Sequence, residues 1–132
     1  MKVVARRGEG LAHEVEFEGG REIVVDEPVE AGGADSGPSP TQLLAASLAG
    51  CTAITLELYA ERKGWDLGEL EVEVDFASKD FAPAAFEVIL RLPGSFDEEQ
   101  RRRLLKIAGK CPVHKVLASE SSIDIADRVE TI

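Results

Sequence analysis

The chain predicts an α+β fold, and three features of its sequence predict it. Apolar and acidic residues alternate with period two in separate stretches near the start and in the middle. One long apolar segment, positions 40–63, is bracketed by helix start and stop signals. A second capped helical segment follows the middle stretches, and no βαβ unit repeats.

Taken in order, Lys2–Ala5 reads as a first strand. His13, Val15 and Phe17 alternate with Glu14, Glu16 and Glu18, and Gly19-Gly20 forms a two-residue turn into Ile23-Val24-Val25, which makes a hairpin. From Asp26 to Gly37 the chain is rich in Gly, Pro and acidic residues, a loop long enough to be functional. The main helix then starts at Ser39 as N-cap, with Pro40 at N1 and Gln42 at N3 closing a capping box, and stops at Gly64. Positions 40–63 span about 36 Å at roughly 1.5 Å per residue. Its first half, Leu43 to Cys51, is apolar or small on every side and so is expected to be surrounded by protein.

Leu70, Val72, Val74 and Phe76, then Phe86, Val88, Leu90 and Leu92, give two one-side-buried strands expected to pair antiparallel. Ser95-Phe96-Asp97-Glu98 reads as a second capping box opening a helix to about Gly109. Cys111 precedes Pro112 and is expected at the N-cap of a short helix ending near Ser119. Ile123, Ile125 and Val129 suggest a last strand or strand-like tail. Trp65, just past Gly64, is expected to pack the helix end into the core.

At 132 residues the chain is read as one domain, 1–132, able to bury a core without disulfide staples. The polar start, Met1-Lys2-Val3-Val4-Ala5-Arg6-Arg7, does not resemble a secretory signal, and no uninterrupted apolar run suggests a membrane span, so a cytoplasmic location is expected. A net charge of −10 argues against nucleic acid, since even Arg101-Arg102-Arg103 lies beside Asp97-Glu98-Glu99. The acidic surplus is simplest as a solubilising surface.

Cys51 and Cys111 are the only cysteines and lie sixty positions apart, so only the fold can bring them together. In a reducing compartment a cysteine pair points to redox chemistry more than to a permanent staple. At a helix N-terminus Cys111 faces unpaired N–H groups, which alone would make it the more acidic thiol. Cys51 is mid-helix and needs a cation from elsewhere in the chain to react. Taken singly, a cysteine on an apolar helix is most often a small core residue. Cys111-x-x-His114 has metal-like spacing, but with His13 the only other histidine a four-ligand zinc site is not expected. His13 itself reads as core-facing or partner-facing, and His114 either as a hydrogen-bond donor near Cys111 or as a surface residue.

Two segments carry a resemblance. Gly37-Pro38-Ser39-Pro40-Thr41-Gln42-Leu43-Leu44-Ala45-Ala46-Ser47-Leu48-Ala49-Gly50-Cys51 resembles the central-helix motif of the OsmC/Ohr family of thiol-dependent peroxidases, and Lys110-Cys111-Pro112-Val113-His114 resembles the segment with that family's second cysteine. The resemblance implies an intertwined homodimer with antiparallel sheets wrapped around long central helices. It implies that Cys51 attacks an organic hydroperoxide, and hydrogen peroxide less well, and that Cys111 then closes a Cys51–Cys111 disulfide. A dithiol such as dihydrolipoamide, or a lipoylated protein, would reduce that disulfide, with no metal or organic cofactor. It also implies an activating arginine from the N-terminal strands or the loop after them, for which the chain offers Arg6, Arg7 and Arg21; Arg7 and Arg6 are the nearest matches, and the choice between them stays open. Leu43, Leu44 and Leu48 would line an apolar approach.

One position departs from the family pattern. Organic hydroperoxidases of the family carry a glutamate ten positions before the reactive cysteine, and Thr41 stands there. That keeps a second function open: a binding module of the same fold that holds a small hydrophobic ligand with little or no peroxidase activity. A third is that Cys51–Cys111 is a structural disulfide of a heat-stable protein.

Overall fold

The computed structural model describes residues 1–80 and 82–132. Its elements run β1 (Val3–Arg7), β2 (His13–Phe17), β3 (Glu22–Val25), α1 (Pro40–Lys63), β4 (Glu71–Lys79), β5 (Ala82–Arg91), α2 (Glu98–Ala108) and α3 (Pro112–Leu117), with one 3₁₀ turn at Val29–Ala31. The α+β class and the long helix stand as the sequence predicts. The chain forms two compact units: Met1–Ala46 with Phe76–Phe86, and Ser47–Asp75 with Glu87–Ile132.

In the first unit β1, β2 and β3 make an antiparallel sheet in that order, with Arg7 opposite His13 and His13 opposite Val25. The β2–β3 turn is longer than predicted. Phe17 N–H donates to Arg21 O, so Glu18, Gly19 and Gly20 form a three-residue loop, with both glycines at positive φ. The loop from Asp26 to Gly37 is held by one carboxylate. Asp26, 2% exposed, accepts hydrogen bonds from the N–H groups of Glu27, Ala34 and Ser36 and from the Ser36 hydroxyl. Those donors hold its carboxyl down at about 2. Gly33 and Gly37 permit the close turns, since a Cβ would stand 1.9 Å from Glu27 O and 2.1 Å from Val24 O respectively.

α1 begins and ends where the sequence places it. Ser39 Oγ accepts from Gln42 N–H while Gln42 Oε1 accepts from Ser39 N–H, and Gly64 takes φ +70 beyond the last turn. By length and composition α1 is the one helix among the described residues that could cross a membrane. Within the second unit it supplies core instead: Leu56, Tyr59 and Ala60 cluster with Leu67, Phe96, Leu104 and Ala108. Trp65 packs there as predicted, edge-on to both Tyr59 and Phe96.

Three expectations need correction. The N-cap of α2 is Asp97, paired with Gln100 in a full capping box, rather than Ser95 with Glu98. Both patterns fit the rule, but Phe96 N–H closes a turn onto Pro93 O and Asp97 is still extended at φ −77 and ψ 174, so the helix starts only after Asp97. The tail carrying Ile123, Ile125 and Val129 is not a strand, because no neighbouring strand offers it a ladder among the described residues, and those side chains are exposed. The apolar first half of α1 is not enclosed within the chain: Leu44 and Ala46 are exposed in the first unit, and Ser47 and Gly50 in the second, where Ile54 and Leu58 further along the helix are exposed as well.

Candidate redox site

Cys51 and Cys111 come together. Both are in the second unit and both are free thiols, Cys51 half-buried and Cys111 fully shut off from solvent. α1 delivers Cys51 in its fourth turn, on the side that also carries exposed Ser47, Ile54 and Leu58 at helical spacing. Cys111 arrives because α2 ends at Gly109 and a turn, with Cys111 N–H donating to Ala108 O, places it before Pro112. There it caps α3 through sulfur: His114 N–H donates to Cys111 Sγ at 3.5 Å, and Val113 N–H also hydrogen-bonds it.

A side-chain hydrogen bond between the two thiols favours the protonated Cys111. The acidity expected for Cys111 from its cap position is overturned. Burial, first, and then the contact with Cys51 push its thiol up, and the two cap N–H groups pull it down by less. A dipole at the end of a six-residue helix cannot offset full desolvation.

The arginines are less determined. Arg6 and Arg7 both lie exposed on β1, on opposite faces of the strand. Arg6 is held by Glu16 at 2.5 Å, whereas Arg7 makes no ion pair among the described residues and is the freer of the two. His13 turns its ring Nδ1 to Leu11 O at 2.9 Å, a local structural bond. Leu48 is buried, Leu43 half-buried and Leu44 exposed. Thr41 lines a cavity of about 340 Å³ in the first unit together with Gln42 and the carboxylates of Glu27, Asp35 and Asp80, so negative charge surrounds the start of α1 although position 41 itself is neutral.

Two polar groups of the second unit are buried without a hydrogen-bond partner, and the sequence reading singles out only His114 of the two. Thr52, beside Cys51, is fully buried with no partner for its hydroxyl, and the buried ring Nδ1 of His114 likewise has none. A threonine inside an apolar helix was the available signal for the first. No group of three or more His, Cys, Asp or Glu able to hold a metal occurs among the described residues.

A model of the OsmC-like protein family matches residues 32–126. The chain belongs to the OsmC-like protein family. The matched span includes Cys51 and Cys111 with the elements that carry them, and leaves β1–β3, with Arg6, Arg7 and Arg21, outside it. The fold agrees with solved structures of OsmC-like and organic hydroperoxide resistance proteins. An OsmC-like protein from Mycoplasma pneumoniae superposes with a TM-score of 0.77 at 19% identity, covering 89% of this chain and 86% of that one. The organic hydroperoxide resistance protein OhrB of Bacillus subtilis gives 0.63 at 26% identity over 86% and 87% of the two chains. An organic hydroperoxide resistance protein from Elizabethkingia anophelis, with thiocyanate bound, gives 0.65 at 25% over 87% and 86%. No curated protein matches the chain.

Proposed function

We propose that this OsmC-like protein is a thiol-dependent peroxidase for organic hydroperoxides, and less well for hydrogen peroxide. The observation that carries this reading is the pairing of a half-buried Cys51 with a fully buried Cys111 in hydrogen-bonded contact. A hydroperoxide reaches the first sulfur and not the second. The Cys51 thiolate attacks the terminal oxygen of ROOH; the O–O bond breaks, RO⁻ leaves and is protonated to ROH, and Cys51 becomes a sulfenic acid. Cys111 sulfur then attacks the Cys51 sulfur, the S–O bond breaks, and hydroxide leaves as water with the Cys111 proton. An external dithiol, such as dihydrolipoamide or a lipoylated protein, returns both sulfurs to thiols by exchange.

Arg7, and after it Arg6, is the cation assigned to stabilise the Cys51 thiolate. The working form is a homodimer. Supporting it are the uncovered apolar residues of each unit, Val3 and Val4 in the first and Ile54, Leu58, Ile123 and Ile125 in the second, which a second copy would remove from water. Reductants of the cytoplasm would keep the thiols available, and that is the location proposed. Names of structural neighbours at 25% and 26% identity, organic hydroperoxide resistance proteins, support the substrate class.

Thr41 favours a second reading, in which the protein holds a small hydrophobic ligand and turns over peroxide poorly. Peroxide consumption separates the two. With dihydrolipoamide as donor, turnover of cumene hydroperoxide above hydrogen peroxide, abolished in Cys51→Ser, supports the peroxidase; a folded, reduced protein with no turnover of either selects the ligand-binding reading.

A further inference from the structure

We propose that the outer face of α2, with the cleft between its start and the end of α1, binds a small anion that carries two or more phosphates. Helical spacing builds the face. Glu99, Arg102, Arg103 and Lys106 recur at intervals of three and four, and Lys110 follows one turn later, so all five fall on one side of the helix while Leu104 and Ala108 bury the other. With Ile107 they enclose a cavity of about 370 Å³. A second cavity, of about 240 Å³, shares Glu99 and Arg103 and is completed by Tyr59, Lys63, Trp65, Asp97 and Gln100.

Five cations therefore line the two cavities in a chain whose net charge is −10. Such a chain has carboxylates to spare for neutralising them, yet the ion pairs among the described residues belong to Met1, Arg6, Arg91 and Arg128, and none to these five. The carboxylates in the lining do not balance them. Asp97 is committed to the helix cap, accepting Gln100 N–H at 2.8 Å, which leaves Glu99 alone.

An observation independent of charge points the same way. Tyr59 lines the smaller cavity and is 7% exposed, and its buried hydroxyl has no hydrogen-bond partner. A buried phenol ordinarily finds one. Lys63 Nζ stands 5.7 Å from the centre of the same ring. A phosphate oxygen in the cleft would accept from the Tyr59 O–H with Lys63 and Arg103 beside it, and a further phosphate would reach the guanidinium of Arg102 and the ammonium groups of Lys106 and Lys110. A single carboxylate would leave most of this charge unmatched. A nucleic acid is disfavoured because the cationic strip is one short helix on an otherwise acidic surface.

Calorimetric titration of the full-length protein with sodium tripolyphosphate and, separately, with ATP tests the site, using Arg102→Gln/Lys106→Gln and Tyr59→Phe. Saturable binding of both probes is expected, weakened about tenfold or more by the double substitution and severalfold by Tyr59→Phe. The latter keeps the ring and removes only an unpaired hydroxyl, so its Tm should stay at or above that of the unaltered protein. Absence of saturable binding, or affinities unchanged in the double variant or in Tyr59→Phe, would overturn the proposal.

Discussion

The buried Cys111 thiol at the N-cap of α3 is hydrogen-bonded to the sulfur of half-buried Cys51 on α1. The half-buried member has surface to offer and the hidden member, its thiol pushed up by burial, keeps its proton, a division of labour suited to a sulfur that meets substrate and a sulfur that waits.

Accessibility sets the first expectation. Brief treatment of the reduced protein with limiting iodoacetamide near neutral pH should label Cys51 well before Cys111, since only the first has surface to offer. Peptide mapping of the labelled protein reads the order, and equal labelling would show that Cys111 is not sealed.

Alkaline stability follows from the raised Cys111 thiol. A thiol whose folded pKa lies above its unfolded value leaves stability intact below the unfolded value, about 8.5, and removes it as pH climbs toward the folded one. The reduced protein should therefore lose Tm as pH rises above about 8.5 more steeply than Cys111→Ser, whose hydroxyl does not titrate there. Parallel Tm profiles would contradict this.

The opposite sign applies at Asp26. Its carboxyl is held at about 2, so the stability it confers is complete above the unfolded value near 4 and disappears as pH falls toward 2. Asp26→Asn should flatten that acid limb and speed hydrogen exchange at the amides of Ala34 and Ser36, which donate to the carboxylate. Unchanged exchange would mean that the loop is held by other contacts.

Packing gives the plainest magnitude. Leu104 is fully buried among Leu56, Tyr59, Phe96 and Ala108, and Leu104→Ala should cost about 2–5 kcal/mol in denaturant unfolding. A cost below about 1 kcal/mol would mean that α2 is not anchored in this core.

Legibility in the sequence tracked how many local signals coincided. At α1 the Ser39–Gln42 box, Pro40 and Gly64 agree, and the helix bounds came out as read. At α2 the Ser95–Glu98 pattern overlaps Asp97–Gln100, and only the extended backbone of Asp97 decides for the latter. Alternation at Ile123, Ile125 and Val129 resembles a strand, but a strand is made by its neighbour, and a sequence does not show whether one is present. The proximity of Cys51 and Cys111 was accessible through family resemblance alone, and the direction of the Cys111 shift was not, because it depends on a balance between cap donors and burial that only the packed structure sets. The arginine could not be chosen from sequence, since neighbours on a strand face opposite ways and the ion pair that holds Arg6 runs diagonally to Glu16, whereas Arg7 stands opposite His13.

The central claim is that Cys51 takes the oxygen and Cys111 removes it. One equivalent of cumene hydroperoxide added to reduced protein, followed by intact-mass measurement, tests it most directly. The account predicts that the unaltered chain loses two hydrogens as a Cys51–Cys111 disulfide, that Cys111→Ser gains one oxygen at Cys51, and that Cys51→Ser is unchanged. Oxygen gained by Cys51→Ser, or an unaltered Cys111→Ser beside peroxide that remains unconsumed, would contradict it.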